Sequence, residues 1–116
     1  MNRPTRAIIT LTAAGALALG QAGVAQAIAT IEGHSRTWSP TSVTISAGHS
    51  VKWTATIGNH HIKAYGGNWT WSRSLDFGTS RRHTFDSRGT FKFFCTIHGS
   101  VSGGVCTGMC GKVVVT

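Results

Sequence analysis

The sequence predicts an all-β fold, an antiparallel sandwich or barrel, on the basis of three observations. Two segments, "SVTISAG" and "VKWTATIG", alternate apolar with polar residues, and a period of two is typical of half-buried strands. No long stretch places apolar residues at helical spacing. Fifteen glycines among 116 residues supply the turns that short antiparallel strands require.

The first two predicted strands lie between residues 42 and 57. The earlier one has Val43 and Ile45 on one face, and a turn at residues 47–50 separates it from the next. The second strand has four apolar residues on one face: Val51, Trp53, Ala55 and Ile57. Both strands therefore bury one face and expose the other.

The later strands are rich in aromatic and β-branched residues. Phe85 marks one short strand, "FKFF" the next, and "KVVVT" closes the sheet. The segment from Ala64 to Arg82 shows no regular pattern, and we interpret it as a loop-rich excursion. Its two tryptophans are expected to cap one end of the core: Trp69 and Trp71.

The N-terminus has the pattern of a secretory signal peptide. Arg3 and Arg6 precede the apolar stretch "AIITLTAAGALALG", and "AQA" ends at Ala27 with small residues suited to cleavage. The alternative is an uncleaved anchor, but the apolar stretch is shorter than the roughly 20 residues that span a bilayer. We therefore predict a signal peptide over residues 1–27 and a single domain over residues 28–116.

The charge of the remaining domain is strongly basic. Loss of Arg3 and Arg6 lowers the formal net charge from +8 to +6, and leaves nine basic residues against three acidic ones. Such a surface favours an acidic partner or an anionic cell surface. The basic residues are spread along the chain, and exported proteins seldom meet nucleic acid, so we predict no nucleic-acid binding.

Soft metal ligands gather near the C-terminus. Cys95 follows the phenylalanine-rich strand directly, and His98 lies three residues further on. A thiolate and an imidazole suit copper or zinc, and the thioether of Met109 favours copper because it is a poor zinc ligand. A second imidazole is available in "GNHHIKA", from His60 or His61.

This arrangement resembles the small blue copper proteins, the cupredoxins such as plastocyanin, amicyanin and halocyanin. The resemblance runs from "SPTSVTISAGHSVKW" through "HTFDSRGTFKFFC" to "MCGKVVVT". It implies a Greek-key β-sandwich that holds one type 1 copper ion in a plane of two histidines and one cysteine, with an axial methionine. Those ligands correspond to Cys95, His98, Met109 and one of the adjacent residues His60 and His61.

Strand alternation favours His60 over His61. The upstream ligand of the family usually shares a strand face with an apolar residue two positions later, as His60 does with Ile62. The neighbour of His61 on its own face is Lys63. Spacing from the strand tryptophan fits either histidine, so His61 stays as the alternative, and relatives often carry a hydrogen-bonding Asn at its position. There, His61 could still hydrogen-bond to the Cys95 loop.

The chain departs from the family in the spacer before the methionine. Ten residues, Gly99 to Gly108, separate His98 from Met109, which is longer than the spacers of plastocyanin and amicyanin. Such a loop is expected to be flexible and to hold a ligand poorly. Ile97 also stands where relatives commonly have proline between the cysteine and the histidine.

Two additional cysteines bracket the methionine. Cys106 and Cys110 are four residues apart with a glycine between them, a spacing at which a turn can bring their Cα atoms within disulfide range. An exported protein is expected to oxidise such a pair, which leaves Cys95 free as the metal thiolate. The competing interpretation pairs Cys95 with one of the other two cysteines.

The predicted function is single-electron transfer by Cu(II)/Cu(I) cycling, without enzymatic activity. The resemblance implies that His98 lies near the surface as the electron port, and the basic charge suggests an acidic redox partner. The alternative is an extracytoplasmic protein that stores or delivers copper. We expect a secreted monomer that is either released or retained at the cell surface.

Overall fold

Nine β-strands make up the part of the chain that the structure describes, residues 27–116 of a computed structural model. The predicted signal peptide lies outside the described residues, except for Ala27. Within this part there is no helix, and hence none long and apolar enough to cross a membrane. The strands are β1 (Ile28–Gly33), β2 (Trp38–Ser39), β3 (Ser42–Ile45), β4 (His49–Ala55), β5 (His60–Tyr65), β6 (Ser72–Leu75), β7 (Ser80–Phe85), β8 (Gly89–Ser102) and β9 (Val105–Val115).

The strands form two sheets that face each other, which confirms the predicted all-β sandwich. One sheet has the order β2-β1-β4-β7, and the other has the order β3-β9-β8-β5-β6. The prediction of a purely antiparallel arrangement is wrong, because β1 pairs with β4 and β3 with β9 in parallel. Parallel partners need a crossover connection. Here, the chain between the two partners contributes at least one strand to the opposite sheet.

The predicted alternation in β4 is confirmed up to the end of the strand. Val51, Trp53 and Ala55 are buried, whereas Lys52 is exposed. The prediction is wrong for Ile57, which is 51% exposed. The strand ends at Ala55, and the chain bends so that the backbone N–H groups of residues 56 and 57 both donate to the carbonyl of Gly33.

The centre of the core lies between β4 and the phenylalanines of β8. Phe93 is fully buried and packs edge-on against Trp53, with ring centroids 5.2 Å apart. Its cross-strand partner on β9 is Gly111, where an added Cβ would lie 2.4 Å from Cζ of Phe93. Only glycine leaves room for the ring, so this pair fixes how β8 and β9 pack.

The segment from Ala64 to Arg82 is more regular than predicted. It contains β6, which pairs antiparallel with β5, and the beginning of β7. The capping role predicted for its two tryptophans is confirmed, because Trp69 stacks on Trp71 at 6.2 Å and Trp71 contacts Trp53 at 5.1 Å. β6 is an edge strand with one buried side chain, so its sequence carries little alternation.

The ten-residue spacer before Met109 is a β-hairpin, which corrects the expected flexible loop. β8 continues to Ser102, and β9 begins at Val105, after a turn of two glycines with positive φ at residues 103 and 104. At the base of the hairpin, Gly99 pairs with Gly108. The register of the ladder shifts between Phe94 and Gly99, and the irregular region contains the three predicted C-terminal metal ligands: Cys95, His98 and Met109.

Candidate metal centre

Three of the predicted ligands meet in one cluster. The imidazole nitrogens of His60 and His98 and the sulfur of Cys95 all lie within 4.8 Å of one another. The Nδ1 atom of each histidine is 3.7 Å from Sγ of Cys95. Two strands from one sheet therefore bring the ligands together, since His60 begins β5 and the other two residues lie on β8.

His60 is held in one orientation from both sides. It is 1% exposed, and its Nε2–H donates to the carbonyl oxygen of Ile57 at 2.7 Å. A carbonyl only accepts, so this bond places the proton on Nε2 and leaves the Nδ1 lone pair facing the sulfur. On the other side, a Cβ added to Gly33 would lie 2.8 Å from Cδ2 of the ring.

Cys95 is a free, fully buried cysteine in the middle of the sheet. It pairs across the ladder with Ile62 on β5, and its sulfur contacts both histidines. The competing interpretation, in which this residue forms a disulfide, is therefore wrong. An unpaired thiol between two imidazole nitrogens is positioned to serve as a thiolate ligand once it loses its proton.

His98 is the one ligand of the cluster with an open side. Its side chain is partly exposed, and it follows Cys95 within the irregular part of β8. Burial lowers the pKa of His98, and electrostatic interactions with His60 and Arg36 lower it further. A lowered pKa keeps the imidazole neutral at physiological pH, which is the state that binds a metal ion.

Met109 lies on β9, in the core beside this cluster. It is 1% exposed, and its backbone carbonyl accepts a hydrogen bond from Nε1 of Trp38 at 3.2 Å. The Trp38 ring also packs on His60, with centroids 5.7 Å apart. One buried tryptophan thus contacts the histidine side chain and the methionine backbone.

The hairpin base explains why the long spacer does not separate Met109 from His98. A Cβ added to Gly99 would lie 2.9 Å from the backbone nitrogen of Met109. One added to Gly108 would lie 2.5 Å from the carbonyl oxygen of His98. Only two glycines allow the strands to approach this closely, so the ten residues loop out and return to the same place.

The disulfide predicted between Cys106 and Cys110 is present. Their sulfurs are 2.02 Å apart and their Cα atoms 6.1 Å apart. Both cysteines lie on β9, one on each side of Met109. The bridge therefore constrains the backbone that carries the methionine.

His61, the alternative ligand, does not join the cluster. Its Nε2 is 2.7 Å from the hydroxyl of Ser72 on β6, and the hydrogen bond to the Cys95 loop that its position suggested is not made. The neighbouring Asn59 contacts a different loop, because its side-chain oxygen accepts from the backbone N–H of Phe77 at 2.8 Å. That bond connects the loop before β5 to the loop after β6.

The nitrogen–sulfur distances in the cluster are those expected when both atoms bind one metal ion. Bonds of about 2.0 Å to nitrogen and about 2.3 Å to sulfur, at an angle of about 120°, place the two donor atoms about 3.7 Å apart. Both nitrogen–sulfur separations in the cluster have this value. One thiolate, two imidazoles and a nearby thioether form a soft donor set of the kind that suits copper.

The fold and the cluster together define a two-sheet β-sandwich with a candidate His–Cys–His metal site, in which His60 and Cys95 are buried and His98 is partly exposed. No family model and no curated protein matches the sequence. Solved structures do match: a novel purple cupredoxin from Nitrosopumilus maritimus is 22% identical over 76% of this chain and 99% of its own, with a TM-score of 0.62.

A variant of amicyanin in its oxidised state is 18% identical, over 76% of this chain and 81% of its own, with a TM-score of 0.63. Another amicyanin variant, in the reduced state, is 19% identical over 77% and 82% of the two chains, with a TM-score of 0.62. The chain therefore has the fold of the cupredoxins.

Proposed function

We propose that this protein is an exported type 1 copper protein that carries single electrons between redox partners by cycling between Cu(II) and Cu(I). The observation that carries the proposal is the cluster of His60, Cys95 and His98, with both nitrogen–sulfur separations at 3.7 Å, on a cupredoxin fold.

Copper is the ion that this donor set favours. Zinc sites in proteins use thiolate, imidazole and carboxylate ligands, whereas the trigonal His₂Cys set with a weak thioether is typical of electron-transfer copper sites. Met109 supplies a buried thioether next to the cluster. Amicyanin, whose fold the chain shares, has structures in the Cu(I) form.

The protein's own contribution is to fix the ligands before the metal arrives. The hydrogen bond to the Ile57 carbonyl and the close approach of Gly33 hold His60, and the strand ladder holds Cys95. A bound copper ion would supply the one-electron couple. Because the ligands cannot move far, we expect little reorganisation between the two oxidation states, which favours fast electron transfer.

His98 is the proposed exit for the electron, because it is the ligand with an exposed side. Two exposed apolar residues lie next to the ligands: Ile97 precedes His98 and is 57% exposed, and Ile57, whose carbonyl accepts from His60, is 51% exposed. Such a rim suits brief contact with a redox partner. We propose that this partner is acidic, since the long-range attraction would come from the basic charge of the protein.

The burial of the ligands favours electron transfer over copper storage or delivery. Cys95 is fully buried, and both His60 and Met109 are 1% exposed, so an ion could leave only past His98. An electron needs no such opening. Export rests on the signal-peptide pattern before Ala27 and on the oxidised state of the Cys106–Cys110 pair, and the protein would then act outside the cytoplasm, released or at the cell surface.

The proposal is tested by adding Cu(II) to the purified protein and recording the visible and EPR spectra. We expect an intense thiolate-to-copper charge-transfer band with narrow hyperfine splitting. Cys95→Ser should abolish the band, whereas the matched control His61→Gln, next to a ligand but outside the cluster, should keep it. A colourless copper complex, or a band that survives Cys95→Ser, would refute the assignment.

A second experiment separates an electron carrier from a copper carrier. The rate at which the loaded protein loses copper to a competing chelator is compared with the rate of electron self-exchange. Slow copper loss with fast self-exchange is the expected result. Rapid copper loss with slow self-exchange would favour storage or delivery.

A further inference from the structure

The outer face of the five-stranded sheet carries a row of polar side chains that the metal centre does not use. Tyr65, Lys92, Lys112 and Ser42 stand opposite one another on four adjacent strands, β5, β8, β9 and β3. Both lysines are exposed. This row, which we call the lysine row, crosses the middle of the sheet.

The two lysines of the row are direct cross-strand partners. Like charges directly opposite each other in an antiparallel pair repel and destabilise the pair. Lys92 lies with its ammonium 5.7 Å from the centroid of the Tyr65 ring, a cation–π contact on the side away from Lys112. The only contact between a basic and an acidic side chain in the described part of the chain joins His34 and Glu32, so neither lysine pairs with a carboxylate there.

The surroundings of the row add positive charge and no negative charge. Lys63 stands in the next row on the same face, opposite Phe94 on β8. None of the three acidic residues between positions 27 and 116 lies on a strand of this sheet: Glu32, Asp76 and Asp86. The strands of this sheet therefore contribute lysine side chains to this face and no carboxylate side chain.

The lysine row also lines a concave site. An open cleft of about 220 Å³ is lined by seven residues: Thr41, Ser42, Tyr65, Lys92, Cys110, Gly111 and Lys112. The side chains of these residues include two ammonium groups and three hydroxyl groups, all of which can donate hydrogen bonds. Donors of this kind, two of them charged, are what a multiply charged oxyanion requires.

We propose that this cleft is a binding site for a phosphate group, held by Lys92 and Lys112 with hydroxyl donors from Ser42, Thr41 and Tyr65. A phosphate group on a ligand carries a charge of about −1.5 to −2 at pH 7, which matches the two facing ammonium groups, whereas a carboxylate matches only one. Lysine binds phosphate as a point charge and needs no bidentate geometry.

The test uses the copper-loaded protein, with inorganic phosphate, tripolyphosphate and acetate as probes at constant ionic strength. Binding is measured by calorimetry and by amide chemical shifts in NMR. We expect phosphate or tripolyphosphate to bind, with shifts centred on the lysine row, and acetate to bind more weakly. Binding of inorganic phosphate points to free phosphate as the ligand, and binding of tripolyphosphate alone points to a phosphate chain.

The structure offers a matched control for charge. Lys52 and Arg82 are also exposed cross-strand partners, but they lie on the outer face of the other sheet, which carries Glu32. The double variant Lys92→Gln/Lys112→Gln and the double variant Lys52→Gln/Arg82→Gln each remove two positive charges. We expect the first to weaken binding about tenfold or more and the second to change it less than about twofold.

Three results would overturn the proposal: no binding of either phosphate probe, equal weakening by the two double variants, or acetate binding as tight as phosphate. All the substituted residues are exposed and lie outside the metal centre, so the visible copper band serves as a check that each variant is folded. The outcome does not depend on electron transfer, and a failure here leaves the proposed function standing.

Discussion

The two histidines of the metal centre are held in opposite ways. His60 is buried at the start of a strand, with its ring fixed by the Ile57 carbonyl and packed against Gly33. His98 is partly exposed in an irregular part of β8, and its position depends on the glycine-paired base of a hairpin. His60 is buried and fixed in the core, whereas His98 opens to the surface, and the proposed electron transfer would use both features.

We expect Gly108→Ala to have the largest effect, because it disrupts the hairpin base next to His98. The residue has a φ of +90°, and its new Cβ would lie 2.5 Å from the His98 carbonyl oxygen. Left-handed strain and overpacking together should lower the free energy of unfolding of the metal-free protein by about 4 kcal/mol, measured by urea denaturation.

Gly104→Ala is the control for this substitution. Gly104 has a φ of +78° and open space around its Cβ position, so the cost should be the backbone strain alone, about 1 kcal/mol. Equal losses in the two variants would mean that the close approach at the hairpin base does not hold His98.

Substituting each histidine by alanine compares the buried His60 with the partly exposed His98 directly. His60→Ala removes a buried ring and leaves the Ile57 carbonyl without its partner, so the metal-free protein should lose about 3 kcal/mol of stability. His98→Ala should cost less than about 1 kcal/mol because the side chain is partly exposed. Similar urea midpoints for the two variants would contradict the distinction.

Trp38→Phe tests whether the hydrogen bond from Trp38 to the Met109 backbone positions the methionine. The change removes the indole N–H that donates to the Met109 carbonyl and keeps most of the packing against His60. We expect a loss of about 1 kcal/mol and a shift in the copper charge-transfer band. Trp69→Phe, which removes the indole donor to the Lys92 carbonyl far from the centre, should leave the band unchanged.

The smallest expected effect concerns a histidine outside the metal centre. Burial lowers the pKa of His83, and the Arg73 charge lowers it further, while Asp86 acts in the opposite direction. The unfolded chain therefore binds a proton more readily than the folded one. Folding with a neutral His83 carries no penalty above pH 6.5. As the pH falls towards the folded-state pKa of His83, the free energy of unfolding decreases because protonation favours the unfolded chain.

His83→Leu should therefore flatten the decline in the free energy of unfolding between pH 7 and pH 5. The measurement is a series of urea titrations of the metal-free wild type and variant. Parallel pH profiles would show that His83 does not titrate differently in the folded protein.

The parts of this structure that sequence patterns predict are the local ones. The period of two in β4 follows from one buried face, and the order of Cys95 and His98 after a phenylalanine strand identifies two soft ligands on its own. The disulfide between Cys106 and Cys110 follows from short spacing, since four residues with a glycine between them restrict the possible geometry.

The hairpin between His98 and Met109 was missed although its signal was in the sequence. "SGGV" places two glycines between Val101 and Val105, which is a signal for a two-residue turn with positive φ at both positions. The flanking residues are small and mostly polar, so no apolar alternation marked the strands. Comparison with shorter spacers in the family instead suggested a loop.

The residues that pack against His60 could not have been predicted from local patterns. Gly33 and Trp38 precede His60 by more than twenty residues, and they meet it only because β1 pairs in parallel with β4 and β2 pairs with β1. A parallel partner is set by the path of the chain between the sheets. Nothing in the residues around either position indicates it.

X-ray absorption at the copper edge tests the central claim most directly, because it counts the ligands around the ion. We expect one sulfur and two nitrogens bound to the copper, from Cys95, His60 and His98, at nearly the same distances in the oxidised and reduced protein. A first shell of nitrogen and oxygen without a short sulfur contact, or a large change in distances on reduction, would contradict it.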